Sequence, residues 1–228
     1  MDIINYTDES LDSFGDELNR RFDSSRLENV KAVDVYDVVD YIGCIPDWKY
    51  LTPDQSILGM TVFKPTLYYV WDKPFYVQGD IPKKIVFEES TIVIERTLNE
   101  GNKQKNLMEN FTVIHEWFHW LLHRRIFESD NADAFQCCSE KSVFSKMFLQ
   151  NETVRILEHQ ANRCAASFLM PGNVVINEFM DIARMKNRPQ KPLPEWNMKK
   201  YIAETAKRFG VNFNPIKYRL QELGFIQK

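Results

Sequence analysis

The chain contains four histidines, and three of them, His115, His119 and His123, recur at four-residue intervals within "TVIHEWFHWLLH", residues 112–123. On a helix, positions i and i+4 lie about 40° apart around the axis, so the imidazoles of His115 and His119 can reach one metal ion. Glu116 follows the first of them, completing H-E-x-x-H. A carboxylate there sits near the metal without ligating it and can take a proton from a metal-bound water. His123 lies one further turn along, and three successive turns, at about 5.4 Å each, spread too far for a single ion. It is expected beside a ligand or facing substrate, or else as a structural histidine near the end of the helix.

A zinc ion that does chemistry takes three protein ligands and keeps a fourth position open. The third ligand is sought in "RILEHQANRCAASFLMP", residues 155–171, where Glu158 and Asn162 stand one helical turn apart. Glu158 can ligate the metal, and Asn162 can accept a hydrogen bond from a ligand imidazole and orient it. Ala161, Ala165 and Ala166 are small enough to let this helix lie close against the histidine-bearing one. His159 points about 100° away from Glu158 and is not expected to ligate.

The elements that must hold these side chains follow from periodicity. A helix is expected over about 107–125, with Phe111, Ile114, Phe118 and Leu121 as its core stripe, and another over about 152–168. Helical spacing also marks 8–23, 33–42 and 173–186. Between the early and late helices, "ILGMTVF", "TLYYVW", "KIVFEE" and "TIVIERTL" are rich in β-branched and aromatic residues and are separated by turn chemistry. They predict a small antiparallel sheet of three or four strands. The prolines of "NRPQKPLPEWN" (187–197) break any helix and suggest a linker. Two short helices should follow around "FGVNFNP", with Gly210 as a C-cap and Asn214-Pro215 as an N-cap and first-turn pair. The expected division is an N-terminal helical segment (1–29), a metal-binding domain (30–186), the linker (187–197) and a C-terminal, helix-turn-helix-like segment (198–228). The class is α+β.

With 228 residues, 44% of them hydrophobic and 27% charged, the chain can bury a substantial core. Its apolar runs are too short to span a bilayer, and its acidic N-terminus has no basic stretch leading into an apolar one, so neither a membrane span nor a signal peptide is expected. The four cysteines, Cys44, Cys137, Cys138 and Cys164, contain no C-x-x-C pair and read as cytosolic thiols, with Cys137 and Cys138 in a loop packed on the body. Residues 176–228 carry 11 Lys and Arg against 5 Asp and Glu, whereas the rest carry 18 against 27. A basic tail can bind an acidic partner or nucleic acid, and a DNA-reading tail would bring Lys217 and Arg219 to phosphates. The apolar residues Tyr201, Ile202, Phe209, Phe213, Ile216, Leu220 and Phe225 instead favour docking on the body over autonomous DNA binding.

"FTVIHEWFHWLLH" followed by "EHQANRCAASFLMP" resembles the ImmA/IrrE family of bacterial metallopeptidases over about residues 30–171. That family pairs a zincin helix, typically "HELGHLLLH", with an E-x-x-A-N helix ending in Leu-Met-Pro. The resemblance implies a zincin-like domain binding one zinc ion per chain through His115, His119 and Glu158, with Glu116 as the catalytic residue. It places "TIVIERTL" at the sheet edge, where an extended substrate could add as a strand. It further implies a cytoplasmic, bacterial regulatory endopeptidase, often carried on a mobile element, whose protein substrate is a helix-turn-helix repressor. The chain departs from the family pattern in two places: Trp117-Phe118 replaces the common Leu-Gly, and "ESDNADAFQCCSEKS" (128–142) lengthens the gap between the two helices. Two other functions are compatible with the residues. One is a transcriptional regulator or interaction module with a structural zinc, which would have no use for Glu116. The other is a metal-dependent hydrolase acting on something other than a peptide.

Overall fold

Thr7 opens the first helix, α1 (Asp8–Asp23): its Oγ1 accepts from the Ser10 N–H at 3.2 Å. Acidic residues occupy the first turn and Arg20 and Arg21 the last, the order that the helix dipole favours. The computed structural model describes residues 4–75, 77–100, 103–128, 134–138 and 152–227. It is an α+β structure of two units, one formed by Met1–Tyr6 with Val35–Asn162 and the other by Thr7–Asp34 with Arg163–Lys228. The boundaries therefore differ from those expected. The first helix belongs with the C-terminal helices, and the division falls inside a helix, after Asn162, rather than in the proline-containing stretch.

In the first unit, α2 (Val35–Ile42) precedes a four-stranded sheet of β1 (Ile45–Lys49), β5 (Thr91–Glu95), β2 (Ile57–Val62) and β6 (Ala134–Cys138), in that spatial order. β1 runs parallel to β5, while β2 is antiparallel to both β5 and β6. The sheet is thus mixed, not antiparallel. Two of the strands anticipated for it, β3 (Thr66–Val70) and β4 (Lys83–Phe87), form a separate antiparallel hairpin. "TIVIERTL" is also not an edge: β5 is flanked on both sides, and all five of its residues are buried. A strand so placed has no free ladder to offer a substrate. Cys137 and Cys138 belong to β6, not to a loop, and residues 129–133 and 139–142 of the anticipated insertion lie outside the described residues.

The long helix α3 (Lys103–Glu128) packs on β2 and β5. Its stretch 112–119 is buried all round, as a helix inside a core must be. Ile114 and Phe118 are buried as expected, but Val113 and Trp117 complete the packing and Leu121 is exposed. Near its start, the buried carboxylate of Glu109 accepts from Trp48 Nε1 at 2.6 Å and from Asn99 Nδ2 at 2.9 Å, tying the helix to β1 and to the turn after β5. No helix among the described residues is long and apolar enough to cross a membrane.

The second unit contains the end of α4 (Glu152–Leu169), then α5 (Gly172–Ile182), α6 (Glu195–Phe209) and α7 (Phe213–Glu222). The last carbonyls of a helix lack intrahelical donors. Here Asn19 Nδ2 donates to Phe168 O, Arg26 to Leu169 O and Arg219 Nε to Met170 O, so the buried Leu-Met-Pro end of α4 is satisfied by side chains. The proline-containing stretch is pinned as well: Leu193 donates to Phe225 O at 2.8 Å and accepts from Gln227 N at 3.0 Å. Gly210 adopts φ 64° and ψ 38° just beyond α6, the left-handed conformation that glycine adopts without steric cost. The next helix starts earlier than anticipated, with Asn212 rather than Asn214 at its N-cap.

Arg219 is 1% exposed and bridges Asp12 Oδ1 at 2.8 Å and Glu222 Oε2 at 3.1 Å. It cannot serve as a phosphate contact, and Lys217 lies 3.7 Å from Glu195. Arg219→Met should destabilise this unit by roughly 3 kcal/mol, because it leaves carbonyl and carboxylate groups without their donor. Denaturant unfolding would measure this, and a loss well under about 1 kcal/mol would contradict the bridging role.

Candidate metal centre

Three ligand atoms from α3 and α4 converge. His115, His119 and Glu158 each offer one, and all three atoms lie within 4.8 Å of one another. Glu158 Oε2 stands 3.4 Å from His115 Nε2, and Oε1 stands 3.7 Å from His119 Nε2. These separations are long for hydrogen bonds. They resemble the roughly 3.3–3.6 Å between atoms that share a tetrahedral ion at about 2.0–2.2 Å. The two imidazole Nε2 atoms approach more closely, to 2.9 Å. Burial and the neighbouring imidazoles of His115 and His123 hold His119 well below the ordinary histidine range, so it is neutral at neutral pH, as a metal ligand must be. These three residues therefore form a buried group that could hold a metal ion.

Glu116, next to His115 on α3, faces β2. It is fully buried and lies over β2, where Thr61 Oγ1 is 2.6 Å from its Oε2 and 2.8 Å from its backbone carbonyl. Its Oε1 is buried without a hydrogen-bond partner among the described residues. Burial pushes its carboxyl up to about 8; His115 and the Thr61 hydrogen bond oppose that push, and the charge of Glu158 adds to it. A carboxylate kept off the ligand set, with one oxygen anchored and the other unsatisfied, suits proton transfer better than coordination.

Gly59 makes room for this carboxylate. A Cβ there would stand 2.6 Å from Glu116 Oε1, 2.8 Å from Glu116 Cγ and 2.8 Å from Thr112 Cγ2. Gly59→Ala should therefore displace Glu116, lowering stability by roughly 1–3 kcal/mol while leaving metal content intact. Unfolding curves together with elemental analysis would check this; wild-type stability would mean that Glu116 does not need the space. A glycine inside "ILGMTV" is itself a sequence signal of close backbone approach.

His123 is buried and bound to His119 through their Nδ1 atoms at 2.9 Å, so it stands beside the candidate group rather than in it. Asn162 does not orient an imidazole: it is exposed, and its side chain makes no hydrogen bond among the described residues. Besides Glu158, α4 brings Gln160 to the histidines, with its Oε1 3.1 Å from His123 Nε2. His159 is exposed, and Cys44 and Cys164 are buried free thiols whose pKa burial pushes up to about 12.

No protein-family model matches the chain, and no curated protein matches it.

Proposed function

We propose that the protein is a zinc-dependent endopeptidase with a zincin-like catalytic domain. The observation that carries this is the pairing of a His115–His119–Glu158 group able to hold a metal ion with a separate, buried Glu116 whose Oε1 has no hydrogen-bond partner among the described residues. A metal with a purely structural role would give that carboxylate no task, and an unsatisfied buried oxygen is costly to keep. His115, His119 and Glu158 would hold one zinc ion, which when bound supplies a Lewis acid and lowers the pKa of water.

The chain's own residues do the rest. Thr61 fixes Glu116 Oε2 and leaves Oε1 to accept a proton from the attacking water. The raised proton affinity of Glu116 suits both that uptake and the later return of the proton to the leaving amine. Trp117 and Phe118, buried behind the ligand face, keep the back of α3 dry.

The resemblance to ImmA/IrrE peptidases supports a protein substrate, with a helix-turn-helix repressor as the first candidate, and a cytoplasmic setting. Zinc-loaded protein incubated with a peptide library should generate new amino termini detectable by mass spectrometry. Stripping the metal with a chelator should abolish them, and adding zinc back should restore them. Cleavage that persists without metal would exclude this function.

A further inference from the structure

The histidine that does not ligate has a use of its own. We propose that Gln160 and His123 fix the tautomer of His119, placing its ring hydrogen on Nδ1 and its lone pair on Nε2; the use of that lone pair for zinc rests on the function proposed above. Gln160 is 1% exposed, and its Nε2 donates to the carbonyl of Ile4 at 2.7 Å. A carbonyl only accepts, so the amide is oriented with Oε1 towards His123. Oε1 also only accepts, so His123 Nε2, 3.1 Å away, carries a hydrogen.

Among the described residues, neither ring nitrogen of His123 meets a carboxylate: one faces the Gln160 amide and the other faces His119. An imidazolium buried there would be uncompensated, so the ring is neutral and has a single hydrogen. His123 Nδ1 is then an acceptor, and His119 Nδ1, at 2.9 Å, must donate to it. The hydrogen bonds run in one direction, from His119 through His123 and Gln160 to a backbone carbonyl. Such a chain strengthens each of its members and raises the basicity of the other nitrogen of the ring at which it starts. That nitrogen, His119 Nε2, is the one grouped with His115 and Glu158. Both nitrogens of His123 are thereby committed, which makes it a positioning residue and not a fourth ligand.

The experiment uses the full chain without metal, labelled with 15N-histidine, and reads the tautomer of each ring from long-range proton–nitrogen correlations at neutral pH. His119 should carry its hydrogen on Nδ1. Gln160→Met, which removes the acceptor for His123, should shift the His119 population towards the Nε2–H form. Zinc affinity, measured by competition with a chromophoric chelator, should fall roughly 10- to 100-fold in His123→Phe. It should recover to within a few-fold of wild type in His123→Asn, whose amide oxygen can take the place of Nδ1. A merely structural histidine would not show that rescue. A wild-type His119 with its hydrogen on Nε2 would overturn the proposal, as would a folded His123→Phe with wild-type zinc affinity. A wild-type chain that shows the Nδ1–H form but binds no zinc would uphold the relay and remove the zinc function.

Discussion

Glu116→Gln is expected to keep its metal and its fold and to lose turnover by on the order of 10²–10⁴-fold or more. The substituted amide fits the same place. Thr61 has one hydroxyl hydrogen for two nearby acceptors, Glu116 Oε2 and the Glu116 carbonyl. An amide nitrogen in place of Oε2 can donate to Thr61 Oγ1, which frees the hydroxyl hydrogen for the carbonyl. What is lost is a group able to take up a proton. Elemental analysis and the peptide-library assay separate the two properties, and cleavage at the wild-type rate would end the assignment of Glu116. The metal-free proteins offer a second readout. Because burial raises the Glu116 pKa from 4.5 to about 8, its protonated form stabilises the fold below about pH 4.5, and that contribution is lost as pH rises through about 8. The substitution should remove this loss, flattening thermal stability across that window relative to wild type.

Glu158→Ala should abolish stoichiometric zinc binding, and activity with it, because only His115 and His119 would then remain of the group. Glu152→Ala, an exposed change in the first turn of the same helix, is the control and should bind zinc as wild type does. Equal zinc affinity in the two variants would mean that the third ligand lies elsewhere.

What the sequence revealed of the centre was its local part. His115, Glu116 and His119 follow from helical geometry alone, since one turn of one helix brings them together. Glu158 follows from its helix, but the same one-turn spacing points equally to Asn162, which is exposed. Periodicity shows which residues share a face, not which face meets the histidines. Gln160 and Thr61 could not be found that way, because their roles depend on partners distant in sequence. Gln160 reaches Ile4 across 156 positions, and Thr61 reaches Glu116 across 55.

The sheet shows the same limit. β1, "IPDWK", has a proline and two charged residues in five, and becomes a strand through parallel pairing with β5. β6, "AFQCC", becomes one through pairing with β2. The basic tail shows a related limit: counting charges cannot show that Arg219 is neutralised by Asp12, 207 positions earlier.

X-ray absorption at the zinc edge on the full-length, zinc-loaded protein tests the central claim most directly. Two imidazole nitrogens and one carboxylate as the only protein ligands, with the carboxylate lost in Glu158→Ala, is the result expected from the His115–His119–Glu158 group. A fourth protein ligand closing the site, or coordination unchanged in Glu158→Ala, would contradict it.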